Sequence, residues 1–375
     1  KRLTNFMLPK KNILVDIGHP AHVHLFRYFI NEMEARGHKV FVLARNVESI
    51  TRLLKIYNIP FTTTGSKPDS IFMKYLIQIS VILKTILFVR KNRIDIGIGI
   101  SMTLPIVARF TSIKVIGLDD DDTAITPVYA KFINKSDAVL TPDALAHEKR
   151  GLNHIAYPSY HELAYLHPQR FTPDSAVLSE AGVKPGEVFY VLRFNAFKAH
   201  HDKAASGLNL DQKRRLIGLL QKYGRVFITS EKQIEPEFEM FRLPVSPEKI
   251  HSLLYYSTLF AGDSQTMTSE AALLGIPAFK CNSFAGKLSV PGEIENKYQL
   301  CFSFLPDNFE QMLQQIEDFL STPSLKDTFK MRRSRMLEEK IDLTAFLVWF
   351  VETYPVSGKK IIITGDFSMF FSETR

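Results

Sequence analysis

The chain has 375 residues, 45% of them hydrophobic and 23% charged, which suits a folded globular protein of two domains and excludes a disordered or fibrous one. Its 47 Lys and Arg against 39 Asp and Glu leave a net charge of +8, which favours anionic partners: nucleotides, nucleic acid or an anionic membrane face. Two cysteines, Cys281 and Cys301, exclude a disulfide framework, and no Cys/His spacing reads as a zinc site.

The N-terminal KRLTNFMLPKKN carries no secretory pattern and runs directly into an apolar stretch, so a cytoplasmic location is expected. NILVDI, residues 12–17, reads as the first strand of a parallel sheet. Gly18 and Pro20 mark a turn; Leu25, Phe29, Ile30 and Met33 then have helical spacing, Gly37 stops the helix, and Val40 to Ala44 form the next strand. This βαβ opening places His19, His22 and His24 in the loop at the carboxyl end of the first strand, where open α/β sheets bind ligands. The imidazoles suit acid/base work or donation to a phosphate or sugar, with helix capping and loop packing as the alternative. No nearby carboxylate or cysteine completes a metal site, and no GxGxxG supports a nicotinamide site.

Residues 45–66 read as a helix and a further strand. Residues 70–93 form a strongly apolar but basic helix, interrupted by Lys74 and Lys84 and flanked by Lys67, Arg90, Lys91 and Arg93. The charges disqualify it as a transmembrane span. Two readings stay open: a core helix on the sheet face, or an interfacial helix on anionic lipid. DIGIGI (95–100) is the next strand, residues 105–110 read as helical, and 113–122 read as a strand ending in Asp119, Asp120, Asp121 and Asp122. Adjacent carboxylates raise one another's pKa, which suits a general base; a solvated loop is the alternative. DAVLTPD (137–143) closes the first domain as its last strand, and 147–170 reads as the domain crossover.

In the second half, EVFYVLRF (187–194) is a strand. Arg193 at its end, with His200, His201 and Lys203 beyond, makes a basic pocket for a diphosphate or a solvated basic loop. RVFITSE (225–231) is a strand that ends in Ser230 and Glu231. LFAGDSQTMTSEAALLGIPA (259–278) reads as strand, tight polar turn and helix, stopped by Gly275 and Pro277. The unpaired amides at such a helix start suit an anion such as a diphosphate, and Glu270, one turn inside, suits the two hydroxyls of a ribose. Residues 308–354 read as helical, and GKKIIITGDFSMFFSETR as an added strand or a tail with no assigned role.

The spelling of these elements carries a resemblance. D-S-x-T-x-x-x-E-A-A-x-L-G-x-P, residues 263–277, resembles the C-terminal nucleotide-sugar signature of GT-B-fold enzymes, above all the non-hydrolysing UDP-N-acetylglucosamine 2-epimerases. H-P-A-H-V-H-x-F from His19, YPSYHELAYLHP from Tyr157, and R-F-x-x-x-x-A-x-H-D from Arg193 through His201 and Asp202 resemble domain-of-unknown-function family 354. Together the matches span nearly the whole chain. The resemblance implies an α/β protein of GT-B fold, two Rossmann-like doubly wound domains facing across a cleft. Residues 1–165 would form the acceptor and catalytic domain, 166–340 the nucleotide-sugar domain, and 341–375 a helix crossing back and a tail.

It further implies that Ser264, Gln265 and Thr266 hold a diphosphate and Glu270 a ribose, with Arg193, His201, Ser230 and Glu231 completing the nucleotide-sugar site. His19, His22, Asp119 and Asp120 would carry the chemistry, with Asp121 as the alternative register of the Asp pair. One departure is that the two glycines of the epimerase turn are here Gln265 and Thr266. The expected function is a metal-independent, cofactor-free glycosyltransferase that moves a sugar from a nucleotide-sugar donor, UDP-linked, to a cell-surface glycan or lipid-linked acceptor. A UDP-sugar 2-epimerase or hydrolase is the second reading, and a non-catalytic nucleotide-sugar-binding protein the third. Nucleic acid is not expected, because no strand face interleaves aromatic and basic residues.

Overall fold

The structure is a computed structural model and describes residues 9–66, 71–194, 206–230, 234–322, 325–365 and 367–373. The chain divides into two compact units: residues 1–170 with 341–375, and residues 171–340.

The first unit begins with β1 (Asn12–Ile17), α1 (Pro20–Ala35), β2 (Lys39–Asn46), α2 (Glu48–Ile56), β3 (Thr62–Ser66) and α3 (Ile71–Asn92). It continues with β4 (Ile96–Gly99), α4 (Thr103–Val107), β5 (Lys114–Leu118), α5 (Pro127–Ile133), β6 (Ala138–Pro142), β7 (His154–Tyr157) and α6 (Leu163–Leu166). All seven strands are parallel, in the order β3-β2-β1-β4-β5-β6-β7. Helices cover the faces of such a sheet, so its central strands are apolar throughout: every residue of β4 and β6 is buried. The strand order reverses between β1 and β4, and this reversal fixes where a ligand site is to be sought. The two strands run close there, since a Cβ on Gly99 would lie 2.8 Å from the Asp16 carbonyl oxygen.

Two segments differ from the sequence expectation. The stretch 147–170 is not a bare crossover: it supplies the edge strand β7 and the short helix α6, and both belong to the first unit. The expected strand 113–122 ends at Leu118, which leaves the four aspartates in the loop beyond it.

The second unit comprises α7 (Ala176–Glu180), β8 (Phe189–Arg193), α8 (Leu210–Gln221), β9 (Arg225–Thr229), α9 (Ile250–Tyr256), β10 (Leu259–Gly262) and α10 (Gln265–Leu273). It ends with β11 (Ala278–Cys281), α11 (Ser289–Asn296), β12 (Cys301–Phe304), α12 (Phe309–Leu320) and α13 (Leu325–Glu339). Its five parallel strands run β12-β11-β10-β8-β9. Phe279, Phe302, Phe319 and Phe329 pack together on one side of β11 and β12, with neighbouring ring centroids 5.3 to 6.2 Å apart.

The chain then returns to the first unit as α14 (Leu343–Thr353), α15 (Val356–Thr364) and α16 (Ser368–Glu373). Among the described residues of 358–375 all but Gly365 and Phe367 are helical, and none lies in a strand. α14 is apolar nearly all round, as a helix buried on all sides must be. Lys11 Nζ donates to the carbonyls of Val351, Glu352 and Tyr354 at 2.7, 2.8 and 3.0 Å, satisfying the end of α14. Arg170 holds its start by bonding Asp342 at 2.5 Å and Glu32 of α1. Among the described residues no helix is long and apolar enough to cross a membrane.

Candidate functional site

At the carboxyl end of the first sheet, α1 starts with Pro20 in its first turn and His19 as its cap, the His19 Nδ1 accepting from the Ala21 amide at 3.2 Å. One turn on, His22 Nδ1 accepts from the Gly18 amide at 3.2 Å, which leaves Nε2 to carry the ring proton. Burial and the neighbouring His19 and His161 push the His22 pKa down to about 3 despite Asp120, so this imidazole is neutral across the physiological range. The rings of His19 and His22 lie 5.9 Å apart. His24 instead faces inward, buried between Tyr57 and Tyr165. Beside them Asp16, on β1, accepts from the hydroxyl of Ser101, which in turn caps α4 through the amides of Thr103 and Leu104 at 3.1 and 3.3 Å. Burial pushes Asp16 up to about 6, against the Ser101 hydrogen bond.

The four aspartates after β5 have separate surroundings. Asp119 is buried and bonds the fully buried Arg150 at 2.5 Å; the same guanidinium donates to the Asp121 carbonyl, pinning the loop. Burial outweighs the Arg150 charge and pushes Asp119 up to about 6. Asp120 is half-buried, its side chain 38% exposed, and pairs with Nδ1 of the buried His161 at 3.2 Å. Burial opposes both charges of this pair, yet mutual attraction holds Asp120 below and His161 above their ordinary values. Asp121 feels burial and the charges of Asp120 and Asp119, which push it up to about 7. His161 Nε2 and the Tyr157 hydroxyl are buried with no hydrogen-bond partner among the described residues.

The structure thus brings together His19, His22, Asp119 and Asp120, but gives Asp119 to Arg150. Sequence reasoning did not single out Asp16, Ser101, Arg150 or His161. Asp122, His147 and Glu148 are the described group able to offer three metal-ligand atoms within 4.8 Å of one another; Glu148 is already bonded to Thr123. The histidines of α1 are not part of it.

In the second unit, Gly262 ends β10 with a φ of +155°, and a Cβ there would meet the Arg193 carbonyl oxygen at 2.1 Å, so only glycine allows β8 and β10 this approach. Ser264 caps α10, its hydroxyl accepting from the Met267 amide at 3.5 Å. Gln265 and Thr266 open the helix, with Thr266 exposed. The Gln265 side chain turns to Lys280, a buried lysine on β11, whose Nζ donates to Oε1 at 2.5 Å. Burial pushes the Lys280 pKa down. The buried Lys280 amine therefore lies against the side chain of the first residue of α10. Glu270 is buried and its Oε1 lies 3.0 Å from His251 Nε2, a partner contributed by α9. Arg193, at the end of β8, donates to the Thr229 hydroxyl at 3.2 Å, and Ser230 follows β9 directly. His201 and Glu231 lie outside the described residues.

Residues 11–298 match the model of a protein family described as "Protein of unknown function (DUF354)". An uncharacterized protein of Methanocaldococcus jannaschii is 24% identical over 288 residues, which cover 72% of this chain and 81% of that protein. Among solved structures, the UDP-GlcNAc 2-epimerase from Neisseria meningitidis bound to UDP-GlcNAc is similar with a TM-score of 0.60 at 12% identity, covering 85% of this chain and 93% of that one. The spinosyn forosaminyltransferase is similar with a TM-score of 0.60 at 14% identity, covering 95% of this chain and 100% of that one. The two parallel α/β units therefore have the GT-B fold that these enzymes share.

Proposed function

The chain belongs to the protein family of unknown function DUF354, and from its GT-B fold we propose that it is a nucleotide-sugar enzyme, a glycosyltransferase acting on a glycan or lipid-linked acceptor. The observation that carries the chemistry is the Asp120–His161 pair: a half-buried carboxylate, held ionised by its imidazole partner, at the carboxyl end of the first sheet beside a neutral His22. Asp120 takes the proton of the acceptor hydroxyl. The acceptor oxygen bonds the sugar's anomeric carbon as the bond from that carbon to the diphosphate breaks. Within the second unit, the amides of Gln265 and Thr266, the Thr266 hydroxyl and Arg193 are the groups proposed for the diphosphate, and Glu270 for the ribose. The amides at the start of α10 stabilise the charge that develops on the leaving nucleotide. This reading requires no metal or cofactor.

The crowded Asp120 and Asp121, one titrating near 7, favour a second reading, 2-epimerisation by elimination and re-addition of the nucleotide. The products distinguish the two. With UDP-N-acetylglucosamine, a transferase releases UDP only when an acceptor is supplied, whereas an epimerase inverts C2 without one, as read by NMR. In either case Asp120→Asn lowers turnover by at least a hundredfold and leaves UDP affinity unchanged; wild-type turnover by a folded Asp120→Asn protein removes Asp120 from the mechanism.

A further inference from the structure

We infer that the solvent face of α3 docks on an anionic membrane surface. One side of this helix belongs to the core, where Ile86 and Val89 pack with Leu14, Leu43, Leu104 and Val115. The other side carries Leu76, Ile79, Leu83 and Leu87, which are 47%, 54%, 56% and 65% exposed. Spacings of three, four and four residues align them as one stripe along three turns. Exposed apolar residues scattered singly are ordinary, but a contiguous row of four large ones marks an interaction surface. The exposed Phe110 extends it at the far end, where Arg90 donates to the Phe110 carbonyl at 2.9 Å.

Charge identifies the partner. The 22 residues of α3 contain no Asp or Glu. Lys84, Arg90 and Lys91 are exposed along the stripe, and Arg109 is exposed next to Phe110. A recess of about 370 Å³ at this end is lined in part by Arg109, Lys114 and Lys135. Lys114 is paired with Asp137 at 2.9 Å, which leaves the surround cationic in balance. A two-fold contact between copies of this chain would set these cations against themselves, whereas anionic headgroups neutralise them. An apolar stripe that reaches the acyl boundary, with lysine and arginine at headgroup level, is the arrangement of a helix lying in the membrane interface.

The inference is independent of the proposed activity, and its test needs no nucleotide. The full chain is sedimented with phosphatidylcholine vesicles, with and without about one-third phosphatidylglycerol, and its mass in solution is measured in parallel. Binding is expected to be at least tenfold tighter to the anionic vesicles. It should be lost as salt rises from about 0.1 to about 1 M, where the screening length falls from about 10 to about 3 Å. Leu83→Glu/Leu87→Glu should reduce binding on the order of tenfold or more with an unchanged Tm. Lys84→Gln/Lys91→Gln should weaken it by about fivefold per cation. No binding to anionic vesicles at low salt, or undiminished binding by the Leu83→Glu/Leu87→Glu protein, overturns the inference. So does a concentration-dependent dimer, broken by the same substitutions, in a protein that ignores vesicles.

Discussion

Asp119 and Asp120 are neighbours in sequence, and the structure assigns them different work. Asp119 faces a fully buried guanidinium at 2.5 Å, so Asp119→Asn leaves Arg150 charged, out of water and without its main counter-charge. Breaking a buried pair from one side costs about 3–5 kcal/mol. Two features set the lower end of that range. Arg150 keeps the Asp121 carbonyl and has Glu148 4.0 Å away, and Asp119, pushed up to about 6, already carries part of the burial cost. A loss of about 3 kcal/mol corresponds to about 6–12 °C in the melting of a unit of about 200 residues. The double variant Asp119→Leu/Arg150→Met removes both charges and should recover most of the loss, because well-packed apolar pairs replace buried ion pairs at little cost. Calorimetric melting of the wild type, Asp119→Asn and the double variant measures this directly. A single Asp119→Asn protein that melts within about 2 °C of wild type would show that Arg150 does not depend on Asp119 for its counter-charge. A double variant as unstable as the single one would do so as well.

Asp16 supplies a pH test. Its folded-state pKa is raised from 3.8 to about 6, so between those values the folded protein binds more protons than the unfolded one, and stability falls as pH rises through that window. Asp16→Asn should therefore gain relative to wild type by about 3 kcal/mol, at most, on going from pH 4 to pH 7.5, as measured by denaturant unfolding; an equal difference at both pH values rejects a buried, reluctant carboxylate. For the donor groups, Glu270→Ala should weaken UDP binding about tenfold, or about 1.4 kcal/mol, by calorimetry. Unchanged affinity in a protein with wild-type Tm removes the ribose assignment and leaves Glu270 as the partner of His251.

The fold could be read in the chain because buried parallel strands are apolar runs at regular intervals, each followed by a helical period. β7 escaped notice because HIAY is four residues long, only half buried, and sits in a segment rich in Tyr and His. The tail misled in the opposite sense: IIIT is β-branched and reads as strand, but packing of α15 against α14 and β7 makes it helix. Site residues at strand ends, His19, His22, Asp119 and Asp120, stand out because topology puts ligands there. Their partners do not. Arg150 lies 31 residues from Asp119, His161 lies 41 from Asp120, and His251 lies 19 from Glu270, and only tertiary structure brings such pairs together. A signal for Arg150 and His161 was nonetheless present: four adjacent carboxylates require counter-charges, and these were basic residues of the following segment.

The proposed activity depends on a nucleoside diphosphate binding to the second unit at the start of α10, and calorimetric titration of the full chain with UDP, GDP, CMP and ADP, without metal and then with magnesium, measures that binding. UDP should bind without metal, at least tenfold more tightly than the others, and less tightly in Glu270→Ala. Failure of all four nucleotides to bind, with or without magnesium, rules out a nucleotide site at α10.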